Sequence, residues 1–169
     1  TTQCKWDSVI PFDPMWEQLT RLIKPNGAIL LFGAEPFSSA LRMSNIKNYK
    51  YDWIWEKVRP SNPMMAKKQP LRYHELVSVF YKKQCMYSPQ KLKGERNHGT
   101  TRGAHFNKIA QWESKYKENT SNMKYPRSIQ KFSNDLKTNH PTQKPVALME
   151  YLMKTYTNEG ETVLDFTMG

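Results

Sequence analysis

Gly27-Ala-Ile-Leu-Leu-Phe-Gly-Ala-Glu-Pro36, GAILLFGAEP in one-letter code, decides how the rest of the chain is read. Five apolar residues stand between Gly27 and Gly33, and a proline follows. A short apolar run bounded by breakers reads as a strand covered on both faces. Covered strands belong to sheets sandwiched by helices, so this one stretch points to a layered α/β domain with a buried, parallel sheet.

Upstream of it, FDPMWEQLTRLIKPNG reads as an amphipathic helix. Asp13 is the expected N-cap and Pro14 the first helical residue; Met15, Trp16, Leu19, Leu22 and Ile23 recur at helical spacing, and Lys24 and Gly27 close the helix. Downstream, PFSSALRMSNIKN reads as a shorter helix and YDWIWEKV as an aromatic and β-branched strand. RPSNPMMAKKQPLR, with three prolines and four Lys/Arg, must be a loop, and HELVSVFYKK after it is another strand.

Residues 84–137 carry no strong period, and the centre GERNHGTTRG has a mobile composition. Beyond them Pro145 starts a helix with Val146, Met149, Leu152, Met153 and Tyr156 on one face, ended by Asn158 and Gly160. ETVLDFTMG reads as the strand that follows. Alternating helices and buried strands predict a mostly parallel sheet whose ligands sit at the carboxyl ends of its strands.

The 169 residues carry 26 Lys/Arg against 15 Asp/Glu, a net charge of +11. Residues 84–137 hold 11 of the bases and four of the acids, so +7 of the excess lies there, interleaved with Tyr87, Phe106, Trp112, Tyr116, Tyr125 and Phe132. A basic face is often only a solvated one, but aromatics among the bases favour nucleic acid. No window approaches the roughly eighteen apolar residues of a membrane span, and TTQCKWDSV has no secretory pattern. Cys4 and Cys85 are expected to be free thiols in a reducing cytoplasm, and His74, His98, His105 and His140 show no metal spacing.

HPTQKP (140–145), the helix after it and LDFTMG, preceded by ILLFGAEP and HELVSVFYK and by a start like TTQCKWD, resemble in this order the beta class of DNA N6-adenine/N4-cytosine methyltransferases. The resemblance covers the whole chain. It implies a Rossmann-like α/β methyltransferase fold, its sheet mostly parallel with an antiparallel strand. It also implies division into a catalytic-side half (1–83), a basic target-recognition insertion (84–137) and the start of the cofactor-binding half (138–169).

The activity implied is methyl transfer from S-adenosylmethionine to a flipped base in double-stranded DNA, adenine being favoured, in a cytoplasmic enzyme of bacterial or phage restriction-modification systems. By resemblance His140, Thr142, Gln143, Lys144, Pro145, Asp165, Phe166, Thr167 and Gly169 hold the cofactor. Lys144, Thr142 and the backbone N–H groups of a helix start suit its methionine carboxylate. Arg59, Lys67, Lys68 and Arg72 in the loop, with Arg102, Lys108, Lys115, Lys124 and Arg127 in the insertion, are the expected DNA contacts. Trp6 and Asp7 are candidates for positioning the flipped base, and no metal is required.

The chain departs from the pattern at both ends: the glycine-rich turn stops at Gly169, without the following strand that supplies an acid for the ribose hydroxyls, and the catalytic motif is missing. The family's [D/N/S]-P-P-[Y/F/W] motif, which polarises the target amine and stacks on the base, does not occur in these residues; Asp13-Pro-Met and Asn62-Pro-Met come nearest. The sequence therefore reads as truncated at both ends and inactive alone. A non-catalytic DNA-binding remnant, a subunit completed by another chain, and an RNA-binding protein stay open as alternatives, as does a homodimer.

Overall fold

A computed structural model of the chain describes residues 8–94, 122–140 and 142–167. Contacts divide the chain into two compact units, Thr1–Ser88 with Arg127–Gly169, and Pro89–Pro126. In the first unit, helices α1 (Phe12–Leu22), α2 (Phe37–Ser44) and α3 (Val146–Tyr156) accompany strands β1 (Ile29–Gly33), β2 (Tyr49–Glu56), β3 (His74–Phe80) and β6 (Ile129–Lys131). In the second, β4 (Leu92–Lys93) pairs antiparallel with β5 (Met123–Lys124).

The main sheet runs β1-β3-β2-β6. β3 is antiparallel to both β1 and β2, and β6 is parallel to β2. Three of its four strands therefore point one way, as a mostly parallel sheet requires, but β3 lies reversed between two of them. Most ladders are antiparallel as a consequence. β2 and β3 are joined by a proline-rich loop with one 3-10 turn (Pro63–Met65) and no α-helix, a connection that lets the chain return antiparallel. β1 ends up at an edge of the described sheet, so all five of its residues are half-buried rather than fully covered.

The strands alternate their side chains between two cores. Ile29, Leu31, Phe80 and Tyr49 pack on one face with Trp16 and Leu41 from α1 and α2. Leu30, Phe32, Val77, Val79, Trp53 and Trp55 pack on the other, with Leu148, Leu152 and Tyr156 of α3. A bulge between Tyr49 and Tyr51 shifts the register; it puts Tyr49 on the α1/α2 face and Tyr51 on the α3 face.

On the α1/α2 face Asp52 collects three donors. Its carboxylate accepts from Arg42 Nη1 (3.1 Å), Tyr49 Oη (3.0 Å) and Ser78 Oγ (2.6 Å), joining α2 to β2 and β3. On the α3 face Trp53 Nε1 donates to Tyr156 Oη (2.6 Å), which also bonds the Tyr51 hydroxyl (2.9 Å).

Four local expectations are corrected. α1 begins at Phe12 with Pro11 as N-cap, so Asp13 stands inside the first turn, where its charge meets the helix dipole. The buried face of α3 is Leu148, Leu152, Thr155 and Tyr156, whereas Val146 and Met153 are exposed. Residues 161–167 form no strand: Val163, Leu164 and Phe166 are exposed and find no neighbouring strand among the described residues, and backbone polar groups form strands only in ladders. Finally β6, three residues in a stretch of no clear period, forms because it pairs with the exposed side of β2.

Candidate functional site

The carboxyl ends of β1, β2 and β6 and the start of β3 share one end of the sheet, and the chain's charged chemistry gathers there on the α3 face. Trp55 and Glu75 are register partners, and both share the face of Val77 because side chains alternate along a strand. Lys57, two residues past Trp55, extends along the same face. Its ammonium pairs with Glu75 Oε1, while Lys144 Nζ lies 2.8 Å from Glu75 Oε2.

Each lysine also rests on an aromatic ring. Lys57 Nζ is 4.8 Å from the Trp55 centroid; Lys144 Nζ is 5.3 Å from that of Phe32 and 5.8 Å from that of Trp55, within the reach of a cation–π attraction. Trp55 is 2% exposed and its Nε1 donates to the Phe132 carbonyl (3.0 Å). Burial by itself would push the Glu75 carboxyl up, but the Lys144 charge and the hydrogen bonds from Lys144 and Lys57 outweigh it and hold the group below its ordinary value. The group is thus a largely covered carboxylate (17% exposed) flanked by two ammoniums, with one positive charge in excess.

Lys144 reaches this cluster because the loop before α3 is fixed by its own hydrogen bonds. Gln143 N donates to the His140 carbonyl (3.1 Å), and the Thr142 hydroxyl bonds His140 Nδ1 (2.9 Å). Asn139 N donates to Gln143 Oε1 (3.1 Å). Asp135 Oδ2 accepts from Val146 N (3.1 Å) and so caps α3 from outside the helix. Pro145 is the buried N-cap residue. His140, Thr142, Gln143, Lys144 and Pro145 thus form one structural piece. Within it Thr142 is engaged by His140 and the first helical N–H by Asp135, which makes Lys144 the side chain that projects a charge toward the sheet end.

The remaining candidates lie apart from this piece. Asp165 Oδ1 accepts from Thr167 N (3.0 Å) and Thr167 Oγ1 (3.1 Å), and Phe166 with Leu164 lines an apolar groove along α1 beside Met15 and Leu19. Arg59, Lys67 and Lys68 are exposed on the loop between β2 and β3, which leaves the sheet at the same end as Lys57. Asn62 Oδ1 accepts from Arg72 N (2.6 Å) and Ser61 N donates to the Arg72 carbonyl (2.9 Å), so the loop is tied at its base. Arg127 is exposed just before β6. In the second unit Lys124 lies in β5, and Lys91 Nζ sits 4.4 Å from the ring centroid of the exposed Tyr125.

Trp6, Asp7, Arg102, Lys108, Lys115 and Gly169 fall outside the described residues. Among the described residues no group of three or more His, Cys, Asp or Glu could hold a metal ion, and no helix is long and apolar enough to cross a membrane. Cys85 is a buried free thiol.

Glu75, Lys57, Phe32 and Trp55 were missed as site residues. The signal was present: in HELVSVF an acid has the same parity as Val77 and Val79, and in WIWEK a lysine has the parity of two tryptophans. A charge on a covered face requires a partner.

Comparison with known proteins bears on this arrangement. The chain is similar to the crystal structure of an M1.HpyAVI-SAM complex, with 23% identity and a TM-score of 0.54 over 86% of this chain and 60% of that one. It is also similar to the crystal structure of M1.HpyAVI, with 19% identity and a TM-score of 0.45 over 83% and 55%. The first likeness shows a shared fold, and the chain spans about three fifths of that protein's length. No curated protein matches it. A family model of N6/N4 methyltransferases, described as DNA methylase, matches residues 5–169, and with nearly the whole sequence inside that match the chain belongs to the N6/N4 DNA methylase family.

Proposed function

We propose that these residues belong to a beta-class DNA amino-methyltransferase and hold its S-adenosylmethionine through Lys144, while the loop 57–73 and the basic segment 84–137 engage duplex DNA. The observation that carries the reading is the Lys144 ammonium, fixed at the carboxyl end of the sheet by Glu75 and two aromatic rings. The donor set fits an amino-acid cofactor. Lys144 is partly exposed (29%) and has protons beyond the one given to Glu75, so it can meet an α-carboxylate. The buried Trp55 and the half-buried Phe32 form the apolar side. Thr142 and the α3 amide would have to leave His140 and Asp135 to contribute, so Lys144 carries most of the recognition.

When bound, S-adenosylmethionine supplies an electrophilic methyl group on a sulfonium. The chain's part is to bind, orient and shield it. Asp165, Phe166 and Thr167 are assigned to the same ligand by family likeness, adenine is favoured over N4-cytosine on the same ground, and a cytoplasmic restriction-modification or phage setting accords with the family.

Titration calorimetry of S-adenosylmethionine, in the absence of DNA, tests the reading. Lys144→Met should weaken binding by at least about tenfold, the worth of a hydrogen bond to a charged group; equal affinity would refute the assignment. DNA binding that is salt-sensitive with no cofactor affinity at all would favour the non-catalytic binding module.

Two further outcomes are expected. The 169 residues by themselves should transfer no methyl group to duplex DNA, because no D-P-P-Y-like motif is among them; radiolabelled methyl incorporation by the pure chain checks this. Lys67→Ala with Lys68→Ala should weaken binding to all DNA sequences alike and flatten the salt dependence by about one unit of slope for each phosphate left without its lysine. An unchanged slope would remove both residues from the DNA interface.

A further inference from the structure

We infer that Glu75 is a positioning residue for the cofactor: it separates two like charges, Lys57 and Lys144, and so holds the Lys144 ammonium at the sheet end. This rests on the reading of Lys144 given above.

The two carboxylate oxygens divide the work, Oε1 taking Lys57 and Oε2 taking Lys144. The three side chains are 10% (Lys57), 17% (Glu75) and 29% (Lys144) exposed, so water screens them poorly, Lys57 least of all. Both ammoniums approach the same Trp55 ring, at 4.8 and 5.8 Å from its centroid. Without the carboxylate between them, two positive charges would share one aromatic platform. Lys57 follows directly from β2, which is paired along its length with β3. Lys144 stands in a loop and is the more exposed of the two. Repulsion would therefore expel Lys144 toward solvent and leave Lys57 in place.

Net charge alone argues the opposite sign. Removing a negative charge beside Lys144 would make the site more positive and draw an anionic carboxylate in. The effect of one substitution thus separates positioning from simple attraction.

The test is calorimetric titration of the full-length protein with S-adenosylmethionine in the absence of DNA, for wild type, Glu75→Gln, Lys144→Met and the double variant Glu75→Gln/Lys57→Met. Glu75→Gln is expected to lose at least about tenfold in affinity, and the double variant to recover to within about threefold of wild type, because the second like charge is gone. Recovery by deleting a further charged residue is a result that a merely structural role for Glu75 would not give. Affinity in Glu75→Gln equal to or above wild type overturns the proposal, as does a double variant no better than the single one.

Loss in Lys144→Met with none in Glu75→Gln sinks the positioning role and keeps the cofactor reading; no loss in Lys144→Met sinks both. If Glu75→Gln does not fold, Glu75→Asp takes its place, retaining the charge but shortening the reach to two lysines. At least a threefold loss is expected from it, and unchanged affinity counts against the proposal.

Discussion

Trp55→Ala should lower stability by about 3–5 kcal/mol, the cost of emptying a large buried aromatic site. In thermal or urea unfolding of a chain this size that corresponds to a fall in Tm on the order of 10 °C. Trp55 is 2% exposed and lies in the core between β2 and α3, and its loss also leaves the Phe132 carbonyl without the indole donor. The same ring is the platform under Lys57 and Lys144. Trp55→Phe, which keeps an aromatic face and loses the N–H, should recover most of the packing. A loss below about 1 kcal/mol in Trp55→Ala would mean that this core collapses onto the gap, or that Trp55 is not buried.

Asp52→Ala should cost about 3 kcal/mol, near the low end for breaking a buried ion pair because Asp52 and Arg42 are each 19% exposed. Three donors, Arg42, Tyr49 and Ser78, lose one acceptor together. Arg42 keeps Glu35 as a second partner, which is 47% exposed, and an exposed pair contributes little. Glu35→Ala is therefore expected to cost less than about 1 kcal/mol. Chemical denaturation of both variants checks the contrast; equal losses would show that α2 is held by its exposed turn and not by the network beneath it.

The legible parts of the fold were those with a strong local signal. ILLFG, YDWIWE and HELVSVF are apolar or alternating runs between breakers, and all three are strands. PFSSALRMS and the run after HPTQKP carry helical spacing bounded by proline, and both are helices. The misreadings fell where a neighbour decides. VLDF has the composition of a strand and forms none, since composition supplies no ladder partner. Ile129–Lys131 has little strand character and forms one, because β2 offers its free side. The basic candidates of the loop 57–73 were legible as charge on a proline-rich connection; that Lys57 at its start is largely covered, its side chain 10% exposed, was not.

Local pattern was enough for the alternation of helices and strands, the concentration of positive charge in 84–137, and the HPTQKP and LDF motifs. These are properties of composition, spacing and order along the chain. The tertiary structure alone decided that β3 lies reversed between β1 and β2, and with it that Glu75 faces Lys57 and Lys144, residues 18 and 69 positions away. The physical reason is that a buried charge takes whichever opposite charge the strand pairing brings within reach, and pairing between distant segments is fixed by the packing of two cores at once rather than by any local pattern.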